Sequence, residues 1–242
     1  MRRGRQITRL RVMFVTALVE LPPFGPDAAR RLSVASGLPL RLAGDRLQVP
    51  RRGPAVVGCF DDAAAAHRQL DALTEAGFQG FVLAPPWPPV VQVRQLVVVG
   101  NELMVALEGG QRQIIAGHEL PLVVWGTRIL PVGTVVAERT AGETPSGLRH
   151  RRLPVEVREG FLRLFLEGGR TLRVDSSVVA GLDDHAFDLL VRAVRRVCPT
   201  AFDDRLVAQR TQVQMLGHLL TPESHMDLAI LLVARARGWD FG

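Results

Sequence analysis

The side chains able to do chemistry are few and scattered. Six histidines, His67, His118, His150, His185, His218 and His225, stand far apart, and none belongs to an H-E-x-x-H or comparable metal-ligand spacing. Aspartates occur as the adjacent pairs Asp61-Asp62, Asp183-Asp184 and Asp203-Asp204, which invites a reading as paired carboxylates for metal or acid–base work. Each pair, however, precedes a segment read as helical, where one carboxylate accepts backbone amide hydrogen bonds and the other meets the positive end of the helix dipole. Capping is the role expected of all three. Ser36-Gly37 and Ser176-Ser177 have no neighbouring base to activate a hydroxyl, and the G-x-S-x-G, P-loop and G-x-G-x-x-G patterns are missing. Cys59 and Cys198 lie in apolar segments without a partner at metal-ligand spacing. They read as buried free thiols in a reducing compartment, with a bridge between them left open by sequence alone. The expectation is binding rather than catalysis, with no cofactor and no metal. An enzyme site in a cleft between domains, gathering His118, His185 or His225 with a carboxylate, stands as an alternative.

Charge offers one local cluster, Arg149-His150-Arg151-Arg152, in the polar, Gly- and Pro-bearing stretch 138–152 that reads as a loop. Three guanidiniums and an imidazole there could grip phosphate or an anionic membrane, at about 1 kcal/mol per residue near such a surface, with Arg2, Arg3 and Arg5 adding to them. A solvated loop is the plainer reading. The net charge of +6 argues weakly for nucleic acid, because every basic residue is arginine, Ala, Gly and Pro are abundant and Tyr is absent. That bias is what GC-rich coding produces, and the charge is diluted along the chain.

The 242 residues, 47% of them hydrophobic, suffice for two small domains or one large one. Residues 1–11 form a basic tail. With the apolar run 12–21 they superficially resemble a signal peptide, but Glu20 interrupts the run, Pro22-Pro23 follows and no small-residue cleavage site is evident. No run of 18 apolar residues occurs elsewhere, so a cytoplasmic chain is expected.

Residues 12–21 read as a strand. Pro26-Asp27 opens a helix carrying Ala28, Leu32 and Ala35 and closed by Gly37, and residues 39–47 read as a second, short helix. Residues 55–60 form a strand, Asp61-Asp62 caps a helix with Ala63, Ala66, Leu70 and Leu73 on one face, Gly77 ends it, and 78–83 return as a strand. This order over residues 12–84 resembles the C-terminal domain of the bacterial ribosomal stalk protein and the Clp protease adaptor that shares its fold. The resemblance rests on order and spacing, above all the Asp-capped, Ala-rich helix followed by Gly77 and a last strand. It implies a small α+β contact domain with no catalytic residue. An extended segment 38–49 would give a ferredoxin-like βαββαβ domain instead.

Pro85-Pro86-Trp87-Pro88-Pro89 is the linker, stiff and extended because proline fixes φ and removes donors. Beyond it, segments 91–99, 102–107, 111–116, 120–125 and 132–137 read as strands punctuated by turns. Leu162, Leu164 and Leu166 alternate with Phe161, Arg163 and Phe165, and Leu172 and Val174 with Thr171 and Arg173, the period-two pattern of a hairpin turning at Gly168-Gly169. The run 103–110 echoes 162–169. Phe187, Leu190, Val191, Val194, Val197 and Cys198 then fall at helical spacing and need a surface to dock on. Strands in two groups closed by one helix, over residues 90–203, resemble the pleckstrin-homology-like superfold, including its bacterial members. That implies a β-sandwich or barrel that binds peptides, proteins or lipids.

Residues 204–242 are expected to form a helical tail, with helices over 202–218 and 221–237. Leu228, Leu231 and Leu232 lie in a run apolar on nearly every side, which packs between the domains or serves as a partner or homodimer surface. The whole reads as an α+β adaptor or scaffold without enzymatic activity. It would contact a protein partner through exposed sheet edges, with anionic lipid or nucleic acid at the arginine-rich segments as the alternative.

Overall fold

The computed structural model describes residues 13–49, 53–131, 156–179 and 183–240. The apolar, β-branched segment nearest the N-terminus becomes the central strand of a small antiparallel sheet. There β1 (Phe14–Glu20) is flanked by β2 (Ala55–Phe60) and β3 (Gln79–Leu83) in the order β2-β1-β3. The connections are α1 (Pro26–Ser36), α2 (Leu40–Leu47) and α3 (Ala63–Glu75). Pro26 takes the first turn of α1, and Gly37, at φ 72°, ends it in the left-handed conformation that costs glycine least. Asp62 caps α3 by accepting the Ala65 amide at 2.9 Å. The expected element order is therefore present. Because α2 is helical where a ferredoxin-like domain needs a strand, the sheet has three strands.

Seven strands make the second sheet: β4 (Val90–Val99), β5 (Glu102–Leu107), β6 (Arg112–Ala116), β7 (Leu122–Pro131), β8 (Glu156–Phe165), β9 (Thr171–Asp175) and β10 (Phe202–Leu206). Their order is β10-β7-β8-β9-β4-β5-β6, and the sheet does not close on itself. It consists of two antiparallel meanders, β4-β5-β6 and β7-β8-β9, with β10 added parallel on β7. Residues 90–92 of β4 run parallel to 171–173 of β9, while 93–99 pair with β5, so one long strand serves both meanders. Val93, Leu96, Leu103, Val105 and Ile115 from the first meander meet Leu162, Leu164, Leu172 and Val174 from the second in one core. Over that core lies α4 (Asp184–Val197), which inserts Phe187, Val191 and Val194 and is capped by Asp183 on the Ala186 amide at 2.7 Å. The helix approaches so closely that a Cβ at Gly160 would stand 2.6 Å from the Phe187 ring.

One expectation needs correction and one is decided. Asp203-Asp204 does not open a helix; it lies in β10, which pairs parallel with β7. Asp203 and Arg205, two residues apart on an extended strand, share one side and pair at 2.6 Å, and the helical segment starts later, as α5 (Gln209–Leu216). Of the two readings of the tail, packing between the domains is the one the structure shows. In α6 (Pro222–Ala236), Leu228, Leu231 and Leu232 are 6%, 8% and 0% exposed. They belong to one apolar cluster with Leu18, Leu32 and Val56 of the small unit and Leu122, Val124, Phe161 and Phe165 of β7 and β8. The helix thus lies between the two sheets, and these leucines offer no surface to a partner or a second copy in this conformation. No strand pairing crosses residues 85–89, so the boundary between the sheets falls where the prolines are, but the core runs past it. Among the described residues no helix is long and apolar enough to cross a membrane. Segment 132–137, expected as a strand, lies outside the described residues.

Candidate functional site

Alternation along the second meander places a row of charges on the face turned towards α6. Arg128 lies opposite Glu159, Arg163 opposite Arg173, and Asp175 opposite Phe161 in the strand register. Arg128 pairs with Glu159 and stands 3.3 Å from Asp175, Arg173 holds Asp175 at 2.6 Å, and the Ser177 hydroxyl donates to Glu159. Arg163 reaches out of the sheet to Asp227 on α6 at 2.5 Å. Glu159, Arg163 and Asp175 are only 2%, 4% and 1% exposed. Burial pushes the Asp175 carboxyl up to about 6, outweighing the opposing pull of Arg128. Burial likewise draws the Arg163 guanidinium below its usual range, with Asp227 and Asp175 acting the other way. Desolvation costs of this size are why buried charges occur in paired sets.

Beside Arg163 a cleft of about 200 Å³ separates the proline-rich segment from β8, β9 and α6, with walls that include Trp87, Phe165, Leu228 and Leu231. His225 and Asp227 both line it, the combination the enzyme alternative required. Yet His225 directs Nδ1 at the Thr221 backbone, 3.2 Å away, and the Asp227 carboxylate is held by Arg163, so neither orients the other. A general base without an orienting partner or a neighbouring nucleophile is weak catalytic machinery.

The two meanders differ on their outer faces. That of β7 and β8 is covered by α6 at Leu122, Val124, Phe161 and Phe165, whereas that of β4-β5-β6 carries an apolar row in solvent. Val97, Met104 and Ile114 lie directly opposite one another across the three strands and are 55%, 47% and 59% exposed. Val99 extends the row at 54%, and Gln95, Ala106 and Arg112 form the next rank in register. The row ends at β6, the last strand of the sheet, whose outer backbone edge has no ladder partner among the described residues. Apolar character on both faces is visible in the runs 96–99 and 114–115, which contain no alternation at all. That was the signal for this surface, and it passes for ordinary core strand when the partner sheet is unknown.

The remaining expectations divide as follows. Arg149, His150, Arg151 and Arg152 lie outside the described residues. His67, His118, His185 and His218 are exposed and dispersed, and no group of three His, Cys, Asp or Glu side chains among the described residues could hold a metal. Cys59 and Cys198 are free thiols, one packed against the core shared with α6 and the other in the core under α4, and burial pushes both up to about 11. Comparison with protein families, with curated proteins and with solved structures returned no match.

Proposed function

We propose that the protein is a binding module without enzymatic activity that takes an extended segment of another protein as an added strand on β6. The partner's apolar side chains would lie along the row Val97, Met104 and Ile114. The observation that carries this reading is that row: three half-exposed apolar residues in exact register, ending on a free strand edge, while the matching face of the other meander is covered. Backbone hydrogen bonds at such an edge supply affinity, and alternate side chains on the face supply selectivity. Arg112, beside Ile114 on the same face, makes no ion pair among the described residues, so the favoured segment alternates apolar residues and carries an acidic flank. A second copy of β6 fits less well, because its only charge is another arginine. Two antiparallel meanders packed by one helix support the pleckstrin-homology-like reading, and the element order from β1 to β3 supports the stalk-protein-like reading of residues 12–84.

Selection of a displayed random dodecapeptide library on the whole chain tests the reading. Enriched peptides are expected to alternate apolar residues around an Asp or Glu, and Ile114→Asp, at an exposed site, is expected to weaken them at least about tenfold, or 1.4 kcal/mol. Arg112→Glu weakens acidic peptides more than neutral ones. Absence of enrichment, or enrichment indifferent to Ile114→Asp, overturns the proposal. Concentration-dependent dimers that Ile114→Asp abolishes would make the occupant a second copy and overturn it equally.

A further inference from the structure

Arg163 and Thr171 both line the cleft under the proline-rich segment, and both carry buried polar atoms that the protein leaves unpaired. Arg163 is 4% exposed and uses Nη2 on Asp227, but its Nε–H has no acceptor. Thr171 is 2% exposed and its hydroxyl has no partner. Buried donors are nearly always satisfied, so two orphans on residues that line one cavity, neither atom itself exposed while Asp227 holds the guanidinium, call for an acceptor that the chain does not supply. Ser224, His225 and Asp227 also line the cavity, and the remainder of the wall is apolar, with Trp87 and Phe165 as its large aromatic surfaces. A cavity of roughly 150 Å³ is enough for a benzene ring, and this one is about 200 Å³.

We infer that the cleft binds a small organic carboxylate with an apolar, ring-sized body, its carboxylate on the Arg163 Nε–H and the Thr171 hydroxyl and its body against Trp87 and Phe165. The chain itself shows which chemistry Arg163 accepts. Its present partner is a carboxylate, and that carboxylate belongs to a side chain 73% exposed, free to swing into water when a ligand takes the guanidinium. This site is separate from the β6 face, and either reading can fail without the other.

Calorimetric titration of the whole chain with 3-phenylpropionate, against its amide as the uncharged counterpart, tests the inference. The acid is expected to bind at least about tenfold more tightly than the amide. Asp227→Asn, at an exposed position, removes the competing carboxylate and is expected to raise affinity for the acid by about three- to tenfold while leaving the amide unchanged. Glu223→Gln, an acid near the start of the same helix, controls for general charge and is expected to change acid affinity less than about twofold. Thr171→Val lowers acid affinity several-fold with the thermal transition retained. Equal binding of acid and amide would make the cleft a merely apolar cavity and overturn the inference. So would no heat up to about 10 mM, or an Asp227→Asn variant indistinguishable from Glu223→Gln.

Discussion

At Asp175 two physical effects oppose each other, the loss of water around the carboxylate and the attraction of Arg128 and Arg163. Desolvation prevails, so the folded chain holds a proton there up to about 6 against an ordinary value of 3.8. Between those values the folded chain binds more protons than the unfolded one. The stabilisation is therefore present at low pH and lost as pH rises through that window. The stability of the wild type minus that of Asp175→Asn is expected to fall from pH 4 to pH 6 by on the order of 2–3 kcal/mol and then to level off, read from urea midpoints. A difference that stays flat or rises would show that the arginines dominate. None of this charge row was legible in the sequence. Arg163 and Arg173 alternate with leucine and valine as solvent-facing residues do, and only the distant α6, arriving about 60 residues later in the chain, puts Arg163 under cover. The caps, by contrast, were legible because Asp62 and Asp183 act on amides three residues away.

Among the elements, α4 was the clearest in the sequence, since periodicity, an acidic cap and Pro199 all define one amphipathic helix. Its docking geometry was not, and depends on Gly160, whose missing side chain lets the Phe187 ring lie against β8. Gly160→Ala is expected to destabilise the protein by about 1–3 kcal/mol through overpacking, and the double variant with Phe187→Leu to recover part of that loss. Thermal unfolding of the three variants reads this directly. Additive losses would mean that the ring and the backbone at Gly160 are not in contact. The strand β10 escaped sequence reading because its stabilising partner is the backbone of β7, about 80 residues earlier, and because Asp203-Asp204 imitates a helix start. Strand propensity is weak evidence where tertiary pairing decides.

For the molecule as a whole, the proline-rich segment marks a change of sheet rather than a separation of bodies. The all-round apolar character of α6 was legible, and of its two readings the buried one is what the structure shows, with the helix filling the space between the three-stranded unit and the outer face of β7 and β8. Covering that face leaves the β4-β5-β6 face as the large apolar surface among the described residues still in water, and the proposed function rests on this asymmetry. Amide hydrogen exchange of the whole chain, with and without a peptide selected on it, addresses that proposal most directly. Strand addition predicts that the amides of Arg112 and Ile114, which point away from β5, slow by about tenfold or more in the complex, with little change at β10, the opposite end of the sheet. Unchanged exchange at Arg112 and Ile114, or protection confined to any other surface, would contradict the account.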